Sequence, residues 1–163
     1  MANQLANQLD PRVKAVWRIT DAVGVTVTFL CCVATFFFVA LFDAESGWAW
    51  GVCAIMAVVY AVVLVLCVAV LPPIRYARWR YQISPDFLEI ERGIFWRKRF
   101  VIPFIRVQNT DTQQGPILRL FGLSSVTVAT AAGNHAIPGL DAAEAAEVRD
   151  RAAELARLAR EDV

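Results

Sequence analysis

The sequence predicts a membrane-anchored α+β protein: a hairpin of two transmembrane helices, then a β-roll or barrel closed by a C-terminal α-helix. Three observations carry this. Residues 22–42 and 47–71 contain no Asp, Glu, Lys or Arg, and about 20 apolar residues at a rise of about 1.5 Å each cross a hydrocarbon core of roughly 30 Å. From residue 79 the hydrophobic pattern shortens to the alternation of strands, broken by Gly, Pro and Asn. After Asp141 it returns to helical spacing.

Composition agrees. A chain of 163 residues that is 58% hydrophobic is too apolar for an ordinary soluble domain, and the excess lies before residue 72. The remaining C-terminal half suffices for one small domain. The net charge of +1 conceals a gradient: residues 75–119 hold nine basic and four acidic side chains, residues 141–163 four and seven. Such a surface has a local sign and no bulk affinity for nucleic acid. Cys31, Cys32, Cys53 and Cys67 all fall inside the apolar stretches, without zinc-type spacing or a secreted disulfide framework, and read as packing residues.

Taken in order, residues 1–21 form a polar N-terminal segment in which Arg12, Lys14 and Arg18 stand beside Trp17. The span 22–42 is too long for a signal peptide and reads as an uncleaved anchor. Residues 43–47 form a short extracytoplasmic loop whose charges are Asp43 and Glu45, and 48–71 is the second span. Pro72 and Pro73 are expected to stop that helix, since proline lacks an amide donor. Residues 72–80 then form a basic juxtamembrane linker. Basic residues flank the outer ends of the hairpin, so the positive-inside rule puts both termini in the cytoplasm, with Trp17, Tyr76 and Trp79 in one aromatic belt and Trp48 and Trp50 in the other. Gly24, Thr28, Cys31 and Thr35, and on the second span Ala54, Ala57 and Ala61, are small residues at helical spacing and are expected to form the seam of the hairpin, the rival being that one of these stripes contacts another subunit. The spans carry no ionisable Asp, Glu, Lys, Arg or His, which argues against transport by this chain alone.

The region 79–163 reads as the folded domain. Strands are expected at 79–84, 87–92, 96–102, 106–112, 124–130 and 135–138, turning at Ser84, Pro85 and Asp86, at Arg92 and Gly93, and at Ala132, Gly133 and Asn134. Pro116 starts a short helical turn that Gly122 closes. A helix over 142–160 is capped by Asp141, with Glu144 at capping-box distance, Ala145, Val148, Ala152, Leu155 and Leu158 on its apolar stripe, and a Glu147–Arg151 pair on its wet side. A roll of strands closed by one C-terminal helix is the pleckstrin-homology (PH) architecture.

Several runs are more specific. Ile102 and Pro103, the hexapeptide RVQNTD from Arg106 to Asp111, QGPILRLFGL at 114–123, Val126, Thr127 and Val128, and IPGL at 137–140 resemble the bacterial PH-like domain of the YdbS family. The resemblance covers nearly the whole chain, two spans included. It implies a cytoplasmic PH-like fold in a bacterial membrane protein, often paired with a larger relative carrying several such domains, and implies neither catalysis nor a cofactor.

Two surfaces are candidates for function. Arg97, Lys98 and Arg99, of which alternation puts Arg97 and Arg99 on one face and Lys98 on the other, are candidates with Arg75, Arg78 and Arg80 for contact with anionic lipid headgroups; the plainer reading is a solvated strand face that discourages edge pairing. Arg106, Gln108 and Thr110 share one face of a strand by alternation and are the candidate partner surface, leaving Val107, Asn109 and Asp111 on the other. Enzymatic readings lack a constellation: His135 is the single histidine, Ser124 and Ser125 have no flanking glycines, and neither a glycine-rich phosphate loop nor a paired acidic motif occurs. The expectation is a non-enzymatic membrane protein, with no metal, cofactor or nucleic acid. It is expected to assemble with itself or with a multi-span partner such as a larger PH-like relative. The alternatives are an anionic-lipid sensor acting through the basic strand and an accessory subunit that contacts a larger complex through its helices.

Overall fold

In the computed structural model, described for residues 5–42 and 47–161, the first apolar stretch forms helix α1, Val13–Phe42, and the second forms α2, Gly47–Val65. The turn expected at 43–47 lies almost wholly outside the described residues, and Gly47 begins α2. Proline does not end the second helix. A π-helical turn, Leu66–Val70, intervenes, with the Leu71 amide donating to the Leu66 carbonyl, and α3, Leu71–Arg78, continues through both prolines. One extra residue in the turn breaks the i→i−4 ladder just where Pro72 and Pro73 lack donors, and proline is tolerated in a first turn. The expected linker 72–80 is therefore mostly helix.

Two units result: Trp17–Pro73, and the residues from Ile74 on together with those up to Val16. Within the first, the facing stripes are large. Tyr60 stacks on Phe29 at 4.3 Å between centroids and its hydroxyl lies 3.0 Å from the Thr26 hydroxyl. The small-residue stripes do not form the contact between the two helices of one copy: Gly24, Thr28, Cys31, Thr35, Ala54, Ala57 and Ala61 are all exposed, which leaves the rival reading, contact with another subunit, open. The Thr28 and Thr35 hydroxyls donate to the Gly24 and Cys31 carbonyls in their own helix, so neither requires a partner across the pair. Val23, Val27, Leu30, Ile55, Val58 and Val62 also point outward.

In the second unit, alternation places the strands close to where it was expected. β1 (Arg80–Ile83), β2 (Phe87–Arg92) and β3 (Lys98–Pro103) form one antiparallel sheet; β4 (Val107–Gln113), β5 (Leu123–Thr130) and β6 (Gly133–Asp141) form another. Pro103 and a 3-10 turn, Phe104–Arg106, separate them, with Phe104 fully buried. Among the described residues no hydrogen-bonded ladder joins the two sheets. Short helix α4, Pro116–Leu120, ends before Gly122 at φ +66°. Helix α5, Ala142–Glu161, packs on the 3-10 turn and the second sheet. Asp141 accepts from the Ala143 amide as its cap. Glu144 is bonded instead to the buried Tyr81 hydroxyl at 2.7 Å, and Arg151 pairs with Glu154, not Glu147. Ala145, Val148, Ala152 and Leu155 are buried as expected, whereas Leu158 is exposed.

The N-terminal segment is not a free polar tail. Leu5, Leu9, Val13 and Val16 are buried, and Asn7 pairs with Tyr81 through both backbone bonds. The Asp10 amide donates to the Gly139 carbonyl, and Gly139, at φ +65°, leaves the space where a Cβ would collide with the Val13 side chain. Arg12 ties Asp10, Asp141 and the Phe121 carbonyl together. This strap completes the core that Leu88, Ile90, Ile102, Val126, Val128, Ile137 and Leu140 build from the strands.

Candidate functional site

The strand expected to hold the partner surface contains a β-bulge between Val107 and Asn109. One added residue shifts every later side chain to the opposite face. Val107 faces the core and so, after the bulge, do the half-buried Thr110 and Thr112, while Asn109 and Asp111 are exposed. The face expected for Arg106, Gln108 and Thr110 is therefore not one face, and Asn109 and Asp111 do not share the buried side with Val107. Gln108 and Thr110 nevertheless lie on this one strand, with Arg106 in the 3-10 turn that leads into it. β4 pairs with β5 on one side, and among the described residues no strand pairs with its other side.

That edge lies between two open grooves. A cleft of about 640 Å³ is lined by Val101, Ile105, Arg106, Gln108, the β5–β6 turn and His135. A groove of about 380 Å³ runs between β4 and α5, lined by Gln108, Asn109, Thr110, Ala153, Ala156, Arg157 and Glu161. Gln108 borders both. The α5 wall was missed from sequence because Ala153, Arg157 and Glu161 fall outside the apolar stripe. Such an edge offers backbone donors and acceptors to an extended segment, with pockets beside it for alternate side chains.

The basic candidates are dispersed. Arg75 and Arg78 lie on α3, Arg80 opens β1 and donates to the Trp79 carbonyl, and Arg97 sits in the β2–β3 turn. Arg99 is committed to Glu89 at 2.7 Å, which also raises its pKa. Arg97, expected on a strand face shared with Arg99, lies instead in the turn before β3, which begins at Lys98. Arg92, opposite Lys98, stacks over Phe100 at 5.1 Å, and Phe100 in turn contacts His135. Burial and the Arg92 charge hold the His135 pKa below its usual value. Trp96, which begins the strand expected at 96–102, and Phe95 before it stand 82% and 85% exposed in the turn.

A family model described as a bacterial PH domain matches residues 25–156. The UPF0699 transmembrane protein YdbS of Bacillus subtilis (strain 168) is 33% identical over 163 residues, the full length of both chains. No solved structure gives a significant match.

Proposed function

The chain belongs to the bacterial PH-domain family, and from that premise we propose that it is a non-enzymatic protein of the bacterial inner membrane whose PH-like domain presents an interaction surface at the cytoplasmic face. There it assembles with itself or with a multi-span membrane partner. The observation that carries the interaction reading is the unpaired edge of β4 between its two grooves, with Gln108 at the centre. Membrane placement draws support from α1 and the α2–α3 run, both long and apolar enough to cross a bilayer, with their apolar side chains turned outward. A domain built from residues on both sides of the hairpin favours two crossings, because the strap and the strands fold on one side of any barrier. The flanking Arg12, Lys14, Arg75 and Arg78 favour the cytoplasmic side.

Photo-crosslinking tests this in native membranes. A crosslinker replacing Gln108 in the full chain is expected to trap one multi-span protein or a second copy. The same group at Asp150, on the exposed face of α5, is expected to trap neither. Equal adducts from both positions overturn the β4 edge as the interaction surface. A reporter fused after Val163 that is active only outside the cytoplasm overturns the orientation.

A further inference from the structure

We propose that the β2–β3 turn is a membrane wedge: Phe95 and Trp96 enter the headgroup region of the leaflet crossed by the chain's own helices, while Arg97 and Lys98 contact anionic phosphates. The inference rests on the membrane placement of the chain and adds a second attachment, made by the domain itself.

Four observations converge. Phe95, Trp96 and Leu120 are the most exposed large apolar residues among those described, at 85%, 82% and 81%. Tryptophan and its aromatic relatives are favoured at membrane interfaces, and adjacent aromatics displayed at a turn call for a partner. Second, the turn is built to hold them out. Gly93 adopts φ +128°, and a Cβ there would collide with the Trp96 carbonyl oxygen, so the backbone folds tightly back on itself.

Third, strand register puts the turn at the right end of the sheet. Arg80 opposes Glu91 and Arg92 opposes Lys98, so the turn leaves the same sheet end at which the chain arrives from α3. Leu120 lies independently beside the other attachment: its neighbour Phe121 accepts a hydrogen bond from Arg12, the residue before α1. Within the domain, the turn thus shares a sheet end with the entry of the chain from α3, and Leu120 adjoins a residue bonded to Arg12. Fourth, the charges match. Arg97 and Lys98 are exposed beside the aromatics, whereas the acidic Glu89 is neutralised by Arg99. An anionic leaflet is therefore the occupant that both the charge and the tether favour.

The test uses the full chain labelled with 5-fluorotryptophan in lipid nanodiscs of phosphatidylcholine, with or without phosphatidylglycerol. The Trp96 fluorine resonance is the one lost in Trp96→Phe. It is expected to broaden with headgroup-proximal spin-labelled lipid and to resist a water-soluble gadolinium chelate, more strongly when phosphatidylglycerol is present. Each of Arg97→Gln and Lys98→Gln is expected to lower the inserted-to-exposed ratio about fivefold in anionic discs. Broadening of Trp96 by the aqueous chelate in both lipids overturns the wedge. Shielding that appears only with two copies per disc also overturns it, in favour of a protein contact. Trp48 and Trp50, at the start of α2, separate the two readings. If spin-labelled lipid leaves them sharp, the membrane reading itself fails; if they broaden while Trp96 remains open to water, the wedge alone is lost.

Discussion

Leu9 and Ile55 are both large aliphatic residues, yet the first is 2% exposed in the strap of the β domain and the second 66% exposed on α2. The difference runs through both units. In the domain, the apolar strand positions and one stripe of α5 turn inward and Arg12, Asp10 and Asp141 lie outside. In the hairpin the aliphatic side chains turn outward, and the inner contact is an aromatic stack with a hydroxyl pair. The same residue types are sorted in opposite ways, as expected when one unit is solvated by water and the other by lipid tails as apolar as leucine itself.

The largest effect that sharpens this contrast comes from truncating one side chain in each place. Leu9→Ala removes a buried side chain from a packed core and is expected to destabilise the domain by about 3 kcal/mol. Ile55→Ala, facing outward, is expected to leave the melting temperature within error. Thermal unfolding of the full chain in mild detergent measures both. A large loss from Ile55→Ala would mean that α2 is packed against protein on its outer face and would break the comparison.

A smaller effect separates the two stripes of α1. Tyr60→Phe deletes the hydroxyl pair with Thr26 and is expected to cost about 0.6 kcal/mol, the usual size of a hydrogen bond between membrane helices. Thr28→Val, on the exposed small-residue stripe, is expected to cost less, because that hydroxyl bonds only its own helix. A reversed order in detergent unfolding would return the seam to Gly24, Thr28, Cys31 and Thr35.

These residues also mark what sequence could and could not reveal. Long uncharged runs and alternating strands are local patterns, so both helices, all six strands and the Asp141 cap were readable. The strap was not. Its four apolar residues are scattered through a polar segment, and their partners, such as Tyr81 and Gly139, lie far along the chain. Small-residue spacing pointed to one face of α1, but stacking of Phe29 on Tyr60 took the contact, an outcome that depends on how two helices meet. A single bulged residue between Val107 and Asn109 reversed the β4 faces, and periodicity alone carries no mark of it. The turn at Gly93 was readable, but Trp96 was assigned to the following strand by its own strand propensity, so the turn was expected to be shorter than it is.

The smallest expected effect tests whether the β domain is sorted as water-solvated proteins are, down to its one imidazole. His135 lies against Phe100 and near Arg92, and burial first, then that charge, lowers its pKa below the ordinary 6.5. Above that value the ring is neutral in both states and contributes no pH dependence. As pH falls through 6.5, the unfolded chain takes up the proton before the folded one does, so stability declines until the lowered folded-state pKa is passed. Asp10 and Asp141 also lose stability on acidification, but with pKa values held below 3.8 by Arg12 they do so in a more acidic window. The melting temperature of the full chain is therefore expected to fall between neutral pH and the lowered histidine value. His135→Gln is expected to flatten that slope while leaving the loss near the carboxylate range intact. A slope that survives the substitution would assign the transition to another group and remove the Arg92, Phe100 and His135 stack as its cause.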